Sequence, residues 1–356
     1  MDQFGFKISY PLYRNKNGVS IGCRERGIMM KIWTRWSTHQ SSFCEYLIIF
    51  LIFCVQSAYA KEFDFQMAIT IDDLPSSGIE TPGLSRTEIS ERIIESLKKN
   101  KVPGVYGFVN GVMMGSSIDY QKILRRWKSS GYFLGNHTFS HISHHEKGTQ
   151  ELIQDIQKNE STLIDFVDTI EELKVFRFPY LEEGNSKQQR YDARFYLNQR
   201  KYRTAQVTMD FEDWSWQEPV QRCLELKNEE KIIELKEAYL KFAMDRIELS
   251  LRMSEKIWGV KKIKHILLLH FNAPLALWMN DLLKKLSDKG VQYISAQQAI
   301  YDSFYDEDTT YMGSTGKTFI MQAFETRNIS KHGLMLPSKP TEWLTQQCLQ
   351  EKKTNN

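Results

Sequence analysis

Short apolar runs alternate along this chain with longer stretches in which apolar residues recur every three to four positions. The short runs are typical of buried strands, and the longer stretches are typical of amphipathic helices. The predicted strands cover residues 67–71, 105–109, 132–134, 175–178, 205–209, 266–269 and 291–294. The predicted helices cover residues 85–99, 117–130, 149–168, 188–200, 228–258 and 274–289. This alternation predicts a parallel sheet with crossover helices.

Polar side chains follow the predicted strands at the point where each strand ends. Asp72 and Asp73 close the first strand, and His137, Arg177, Asp210 and His270 follow later strands. The carboxyl ends of parallel strands meet at one edge, which carries the active site in a barrel. An open doubly wound sheet also binds ligands at that edge, so this pattern predicts a site without deciding between the two folds.

The adjacent carboxylates of Asp72 and Asp73 indicate a compensating cation, because burying two such charges is costly. His137 and His141 are four residues apart, a spacing that places both on one face of a helical turn. One carboxylate and two imidazoles leave coordination positions open, as in catalytic metal centres. The competing interpretation is a helix N-cap for the aspartates and an exposed loop for the histidines.

Three further histidines are interpreted without a catalytic role. His144 and His145 are predicted to lie in a surface loop, although either could replace a metal ligand. His265 directly precedes an apolar strand and is predicted to be structural. His270 follows three leucines, so taken alone it could be a hydrogen-bonded histidine of the core.

The segment from Tyr46 to Val55 is apolar but too short to span a bilayer comfortably. Basic residues precede it and Ala58-Tyr59-Ala60 follows it, which is the pattern of a secretory signal peptide. We therefore predict cleavage near Ala60 and export to the periplasm or the medium, with no stable membrane span afterwards. The alternative is an uncleaved N-terminal anchor.

The remaining boundaries follow from composition. Residues 1–28 are polar and without periodicity, which indicates an upstream extension before a start at Met29 or Met30. Residues 1–60 are thus read as extension plus signal peptide, 61–301 as the main domain, and 302–356 as a polar C-terminal appendage.

Charge and cysteine content exclude several classes of protein. The net charge is +3 and no basic stripe is present, so nucleic acid is not an expected partner. With 41% hydrophobic and 26% charged residues, the composition is ordinary for a globular protein. Only Cys223 and Cys348 would remain after cleavage, which does not make a disulfide scaffold. Whether those two cysteines pair stays open.

Five motifs in this order resemble those of the polysaccharide deacetylases, the family of the NodB-homology domain. The motifs are Thr70-Ile71-Asp72-Asp73, His137-Thr138-x-x-His141, Arg177-x-Pro179-Tyr180, Asp210-x-x-Asp213-Trp214 and Leu268-x-His270. The resemblance covers residues 66–300. It implies a distorted (β/α) barrel with fewer than eight complete strands and a divalent metal, most commonly zinc. It also implies removal of N- or O-linked acetyl groups from an acetylated glycan.

The resemblance also implies roles for individual residues. Asp73, His137 and His141 would hold the metal. Asp72 would be the general base, with Arg177 as its charged partner.

On the opposite side of the metal, His270 would protonate the leaving group. Asp213 would hold either His270 or Arg177. The backbone N–H of Tyr180 would face the developing oxyanion. Trp214, and with it Trp216, would form an apolar wall, the two alternating on a strand so that one faces the groove and the other the core.

This sequence departs from the family pattern around the groove. Leu74-Pro75 replaces the glycine that usually follows the aspartates, Leu181 replaces another glycine, and Phe271-Asn272 stands where an acidic residue is frequent. These changes leave the substrate open. One rival is a hydrolase of a C–N bond in a small amide on the same fold. Another is a non-catalytic glycan-binding protein, although binding alone needs neither a base nor an acid.

Overall fold

The computed structural model describes residues 64–115, 117–259, 262–335, 337–338 and 340–349. The predicted signal peptide and the upstream extension lie outside these residues. None of the helices in the described part is long and apolar enough to cross a membrane.

Within the described residues, seven strands form one parallel sheet. They are β1 (Gln66–Leu74), β2 (Tyr106–Val109), β3 (Phe133–Asn136), β4 (Val175–Phe176), β5 (Arg203–Thr204), β6 (Lys264–His270) and β7 (Gln292–Tyr293). Their order is β5-β4-β3-β2-β1-β6, and β7 pairs with β1. The apolar run of β1 explains its central place, since its residues 67–71 are all buried.

The sheet curls until its two ends are joined by one chain segment. This segment begins as β5, which pairs with β4, and reaches β6 at Met209, which forms a bridge with Leu267. The backbone N–H of Leu268 donates to the carbonyl of Met209 at 3.0 Å. Of the predicted strand at 205–209, only the bridge at Met209 is present, and the two-residue strand β5 lies just before it. The predicted distorted (β/α) barrel is confirmed.

Helices surround this sheet. They are α1 (Arg86–Lys99), α2 (Ile118–Ser129), α3 (His144–Lys147), α4 (Thr149–Leu163), α5 (Ile170–Leu173), α6 (Lys187–Gln199), α7 (Gln217–Glu225), α8 (Glu229–Trp258), α9 (Ala273–Lys289), α10 (Ala296–Ile300), α11 (Phe319–Thr326) and α12 (Thr341–Gln346). Each predicted helix has a counterpart, with ends shifted by a few residues. Helix α8 is rich in charged residues but has a buried face with Leu235, Tyr239 and Ile247. It therefore packs on the barrel through that face.

The described part of the C-terminal appendage packs against the domain. Phe304 and Phe319 are buried in a cluster that also contains Ile266 of β6. Cys223 of α7 and Cys348 form a disulfide. Nearby, Arg222 donates to the backbone carbonyls of Leu344 and Gln347. The appendage thus buries apolar side chains, although their irregular spacing in the sequence does not predict a helix.

Candidate active site

Asp72 and Asp73 lie at the end of β1, and both carboxylates point into one site. Adjacent side chains of a regular strand point to opposite faces, so the backbone must change direction here. Asp73 has a left-handed φ of 66°, and the pairing of β1 with β2 shifts register between Ile71 and Leu74. As a result His137 Nε2 is 3.6 Å from Asp72 Oδ2 and 3.6 Å from Asp73 Oδ1.

His137 and His141 meet through a loop and not through a helical turn, so that part of the sequence interpretation is wrong. The loop follows β3, and His141 has a left-handed φ of 55°. The ring centroids of the two histidines are 4.9 Å apart, and His141 Nε2 is 3.4 Å from Asp73 Oδ1. Backbone strain of this kind clusters at functional sites.

The hydrogen bond of His137 leaves its Nε2 without a proton, so the lone pair of this nitrogen can coordinate a metal. Its Nδ1 is 2.8 Å from the carbonyl oxygen of Arg177, which can only accept, so Nδ1 carries the proton. Burial lowers the pKa of His137 to about 3, and the ring is neutral at pH 7. Its Nε2 lone pair therefore faces the Asp73 carboxylate without a proton between them.

These donor atoms fit a divalent metal. One ligand atom from each of Asp73, His137 and His141 lies within 4.8 Å of the others. Asp73 Oδ1 is buried and has no hydrogen-bond partner within the described residues. A cation between the three atoms would satisfy this oxygen, and zinc accepts this combination of nitrogen and oxygen ligands.

Asp72 is paired with Arg177 inside the barrel. The Nη1 of Arg177 lies 3.2 Å from each Asp72 carboxylate oxygen, and its Nε donates to the carbonyl of Ala205 at 2.7 Å. The guanidinium also lies 4.6 Å from the centre of the Phe108 ring. Burial raises the pKa of Asp72, whereas the charge of Arg177 opposes the rise. Asp72 is thus a carboxylate of increased basicity in a fixed orientation.

His270 is held by Asp213, which settles the alternative left open by the sequence. Asp213 Oδ1 accepts from Nδ1 of His270 at 2.7 Å, and Oδ2 accepts from the backbone N–H of His270 at 3.0 Å. Burial by itself would lower the pKa of His270, but the charge and hydrogen bond of Asp213 raise it to about 10. Since β1 and β6 pair in register at Asp72 and His270, this acid lies level with the base.

Tyr180 has a free backbone amide and a ring that packs on a metal-ligand candidate. It has a left-handed φ of 56°, and its amide N–H makes no backbone hydrogen bond within the described residues. Its ring is 58% exposed and packs edge-on against His141, with centroids 4.5 Å apart. A free amide beside a metal ligand is suited to bind an oxyanion.

Trp214 and Trp216 take different positions, as the sequence predicts, but on a 3₁₀ helix (Asp213–Trp216) instead of a strand. Trp214 is 54% exposed and Trp216 is fully buried. Trp214 is therefore the one of the two that can contact a substrate.

The remaining histidines correct one prediction. His144 is fully buried, with Nδ1 3.2 Å from the carbonyl of Glu182, so it is not a surface residue. The side chain of His145 is 7% exposed. His265 is buried, in agreement with a structural role. The buried places of His144 and His145 depend on Glu182 in another loop, which no local pattern indicates.

Comparison with known proteins shows which family this chain resembles. Residues 62–197 match the family model described as polysaccharide deacetylase. That segment includes Asp72, Asp73, His137, His141 and Arg177, while Asp213 and His270 lie beyond it. Over this segment the chain is similar to the polysaccharide deacetylases, which is the resemblance that the sequence motifs indicate. No curated protein matches the chain.

Among solved structures, the chain is similar to the peptidoglycan deacetylase PdaC from Bacillus subtilis, with 20% identity, 69% of this chain and 95% of that chain covered, and a TM-score of 0.45. It is also similar to a family 4 carbohydrate esterase from Streptomyces lividans, with 16% identity, coverage of 66% and 96%, and a TM-score of 0.44. A pseudoenzyme of that family from Bacillus anthracis gives 16% identity, coverage of 67% and 66%, and a TM-score of 0.45.

Proposed function

We propose that this protein is an exported, metal-dependent deacetylase that removes N- or O-linked acetyl groups from an envelope or extracellular glycan, such as peptidoglycan or a chitin-like polymer. The observation that carries the proposal is the convergence of three metal-ligand side chains with a buried carboxylate, Asp72, and a histidine, His270, that Asp213 favours in its protonated form. A protein that only binds glycans has no need of that combination.

Asp73, His137 and His141 would hold the divalent ion, with zinc as the expected metal. When bound, it supplies Lewis-acid polarisation of the acetyl carbonyl and makes water a better nucleophile at neutral pH. Two observations support this ligand set: Asp73 Oδ1 has no hydrogen-bond partner within the described residues, and His137 Nε2 is unprotonated.

Asp72 takes a proton from the attacking water while the water oxygen bonds to the acetyl carbon. Arg177 keeps this carboxylate charged and turned toward the site. The resulting oxyanion accepts a hydrogen bond from the Tyr180 amide. When the tetrahedral species collapses, the bond to nitrogen or oxygen breaks and His270 donates its Nε2 proton to the departing amine or alkoxide. Acetate and the deacetylated sugar are the products.

Two observations favour an exported glycan enzyme over a hydrolase of small amides. The Cys223–Cys348 disulfide is of the kind that persists in oxidising compartments. Tyr180 packs against His141, Trp214 directly follows Asp213, and both have exposed rings that offer flat apolar surfaces to a pyranose ring.

The experiment is acetate release by purified protein, residues 61–356, from acetylated peptidoglycan, chitin oligosaccharides and acetylated xylan. We expect about one zinc ion per chain and release from at least one of these glycans. The His137→Ala variant should lose the metal and the activity. Asp72→Asn should keep the metal and lose roughly 10²–10⁴-fold in turnover, the usual contribution of a positioned proton-transfer group. Full activity in both variants would refute the proposal.

A further inference from the structure

Glu183 is a buried carboxylate three residues after Tyr180, on the loop between β4 and α6. Its side chain is only 4% exposed, and it accepts hydrogen bonds from four side chains. The donors are Arg190 Nη1 at 3.0 Å and Arg194 Nη1 at 3.1 Å to Oε2, and Gln206 Nε2 at 2.9 Å and Gln322 Nε2 at 3.0 Å to Oε1. Burial by itself would raise the pKa of Glu183, but the charges of the two arginines lower it below its ordinary value. Because an ionised carboxylate has about four acceptor positions, Glu183 has none left for a ligand.

The four donors tie the loop of Tyr180 to three other segments of the chain. The two arginines belong to α6, and Gln206 follows β5. Gln322 belongs to α11 of the C-terminal appendage, 139 residues further along the sequence. Glu183 therefore links the appendage to the loop that carries the Tyr180 amide.

Gln322 is itself held in one orientation, because its Oε1 accepts from Thr309 Oγ1 at 2.6 Å. The neighbouring Asp308 accepts from Arg190 Nη2 at 2.6 Å, so an arginine that binds Glu183 also binds the appendage. The segment of the appendage between Asp308 and Gln322 is thus fixed at both of its ends to the side chains around Glu183.

Between these two contacts the appendage runs against the backbone of Tyr180 and Leu181. A Cβ added at Gly316 would lie 1.8 Å from the carbonyl oxygen of Tyr180. Tyr180 and Leu181 both have left-handed φ values, 56° and 57°. Residues other than glycine keep this conformation only where their surroundings fix it. The appendage, held through Glu183, supplies such surroundings.

We propose that the C-terminal appendage is a positioning element of the catalytic centre, and that it fixes the Tyr180 amide through Gln322 and Glu183. Both side chains are positioning residues, since they are buried and act through the backbone between Tyr180 and Glu183. Without their hydrogen bond the loop shifts, and the amide no longer meets the developing oxyanion. The catalytic consequence rests on the proposed deacetylase function, whereas the effect on the loop does not.

The test combines kinetics with an NMR measurement on the zinc-loaded protein. Gln322→Met has nearly the same shape as the parent side chain and cannot donate to Glu183. We expect kcat for acetate release to fall roughly 10–100-fold with KM and zinc content unchanged, because small displacements of a catalytic group are costly. The matched control is Gln347→Met, which should keep the parental kcat. Gln347 is a buried glutamine of the same appendage, but its side chain donates to the carbonyl of Trp343.

The NMR signal of the Tyr180 amide reports the loop directly. It is identified in protein labelled with ¹⁵N-tyrosine by its absence from the spectrum of Tyr180→Phe. Gln322→Met should shift this signal, and Gln347→Met should leave it in place. Asp308→Asn should also shift it, because the change weakens the second contact of the appendage. The Asp308 side chain is 45% exposed, so this variant does not put the core at risk.

Parental kcat or an unmoved Tyr180 signal in the Gln322→Met protein would overturn the positioning role. A raised KM or a loss of zinc would also overturn it, because either would show general damage to the site. If Gln322→Met does not fold, the signal in the Asp308→Asn protein decides in the same way. If the unmodified protein releases no acetate from any glycan, the proposed function fails, while a shifted Tyr180 signal still supports the effect of the appendage on the loop.

Discussion

Asp213 binds His270 twice, once through the imidazole Nδ1 at 2.7 Å and once through the backbone N–H at 3.0 Å. The aspartate is fully buried and lies in the 3₁₀ helix that also carries Trp214. This double contact fixes the ring so that Nε2 is the nitrogen left to face a substrate. It also places a negative charge where the imidazolium needs one.

Replacing Asp213 with Asn should move the alkaline limb of the pH profile of kcat/KM to lower pH. In the parent His270 has a pKa of about 10, so it remains a protonated acid through neutral pH. Removing the Asp213 charge destabilises the imidazolium and lowers this pKa, and deprotonated His270 cannot act as the acid. We expect a displacement of at least about one pH unit. If the alkaline limb did not move, the acid whose titration it reports would not be His270.

Gly316 should be required for the position of the Tyr180 amide. A Cβ at residue 316 would lie 1.8 Å from the carbonyl oxygen of Tyr180 and 2.6 Å from the carbonyl carbon of Leu181. Gly316→Ala must therefore displace the loop that offers the oxyanion donor. We expect kcat to fall roughly 10–100-fold with metal content unchanged, because small misplacements of catalytic groups are costly.

The control for that loop is Gly115→Ala, since an added Cβ there meets no atom within 4 Å. It should retain parental kcat. Loss of metal from the Gly316→Ala protein would instead indicate general damage to the site.

His265 should make the protein less stable as the pH falls. Burial lowers its pKa to about 3 from the ordinary 6.5, so the folded state keeps the ring neutral while the unfolded state binds a proton. The unfolded state thus binds more protons between these values, and the free energy of unfolding decreases as pH drops below about 6.5. Chemical unfolding of the metal-free protein should show this loss, at most about 1.4 kcal/mol per pH unit from this residue.

The His265→Gln variant should have a flatter dependence over the same pH range, whatever its stability at pH 7. Buried His144, whose pKa is lowered to about 4 by burial, adds to the slope in both proteins. His332→Gln, at an exposed position, is the matched control. Parallel curves for the parent and the His265 variant would contradict the prediction.

The Cys223–Cys348 disulfide should contribute strongly to stability. Its cysteines are 125 residues apart in sequence, and closing so long a loop is expected to stabilise the fold by about 3–5 kcal/mol in the chain-entropy model. Thermal unfolding should show a lower Tm for the Cys223→Ser/Cys348→Ser protein. Reductant should lower the Tm of the parent and leave that of the variant unchanged. Equal Tm values in oxidised parent and variant would show that α7 and the Trp343 contact with Trp216 hold the C-terminal segment without the disulfide.

The strands and helices were largely predictable because their signals are local. The apolar run at 67–71 and the periodic blocks around α8 and α9 need no distant partner to be recognised. The segment at 205–209 was harder, because the two residues just before it pair with β4 and its last residue bridges to β6. Apolar composition predicts that such a segment is buried, but not that it links two strands.

The sequence by itself determined which chemical groups this protein brings to its site: two aspartates after a strand, two histidines four apart, an arginine and a final histidine. Only the tertiary structure decided how they are used. Asp213 binds His270 across 57 residues of sequence, and His137 is oriented by the backbone of Arg177, 40 residues away. Partner choice, left-handed turns such as that of Asp73, and the burial of Glu183 depend on contacts between segments distant in sequence. A local pattern carries residue type and burial, whereas these contacts are set by packing of the whole barrel.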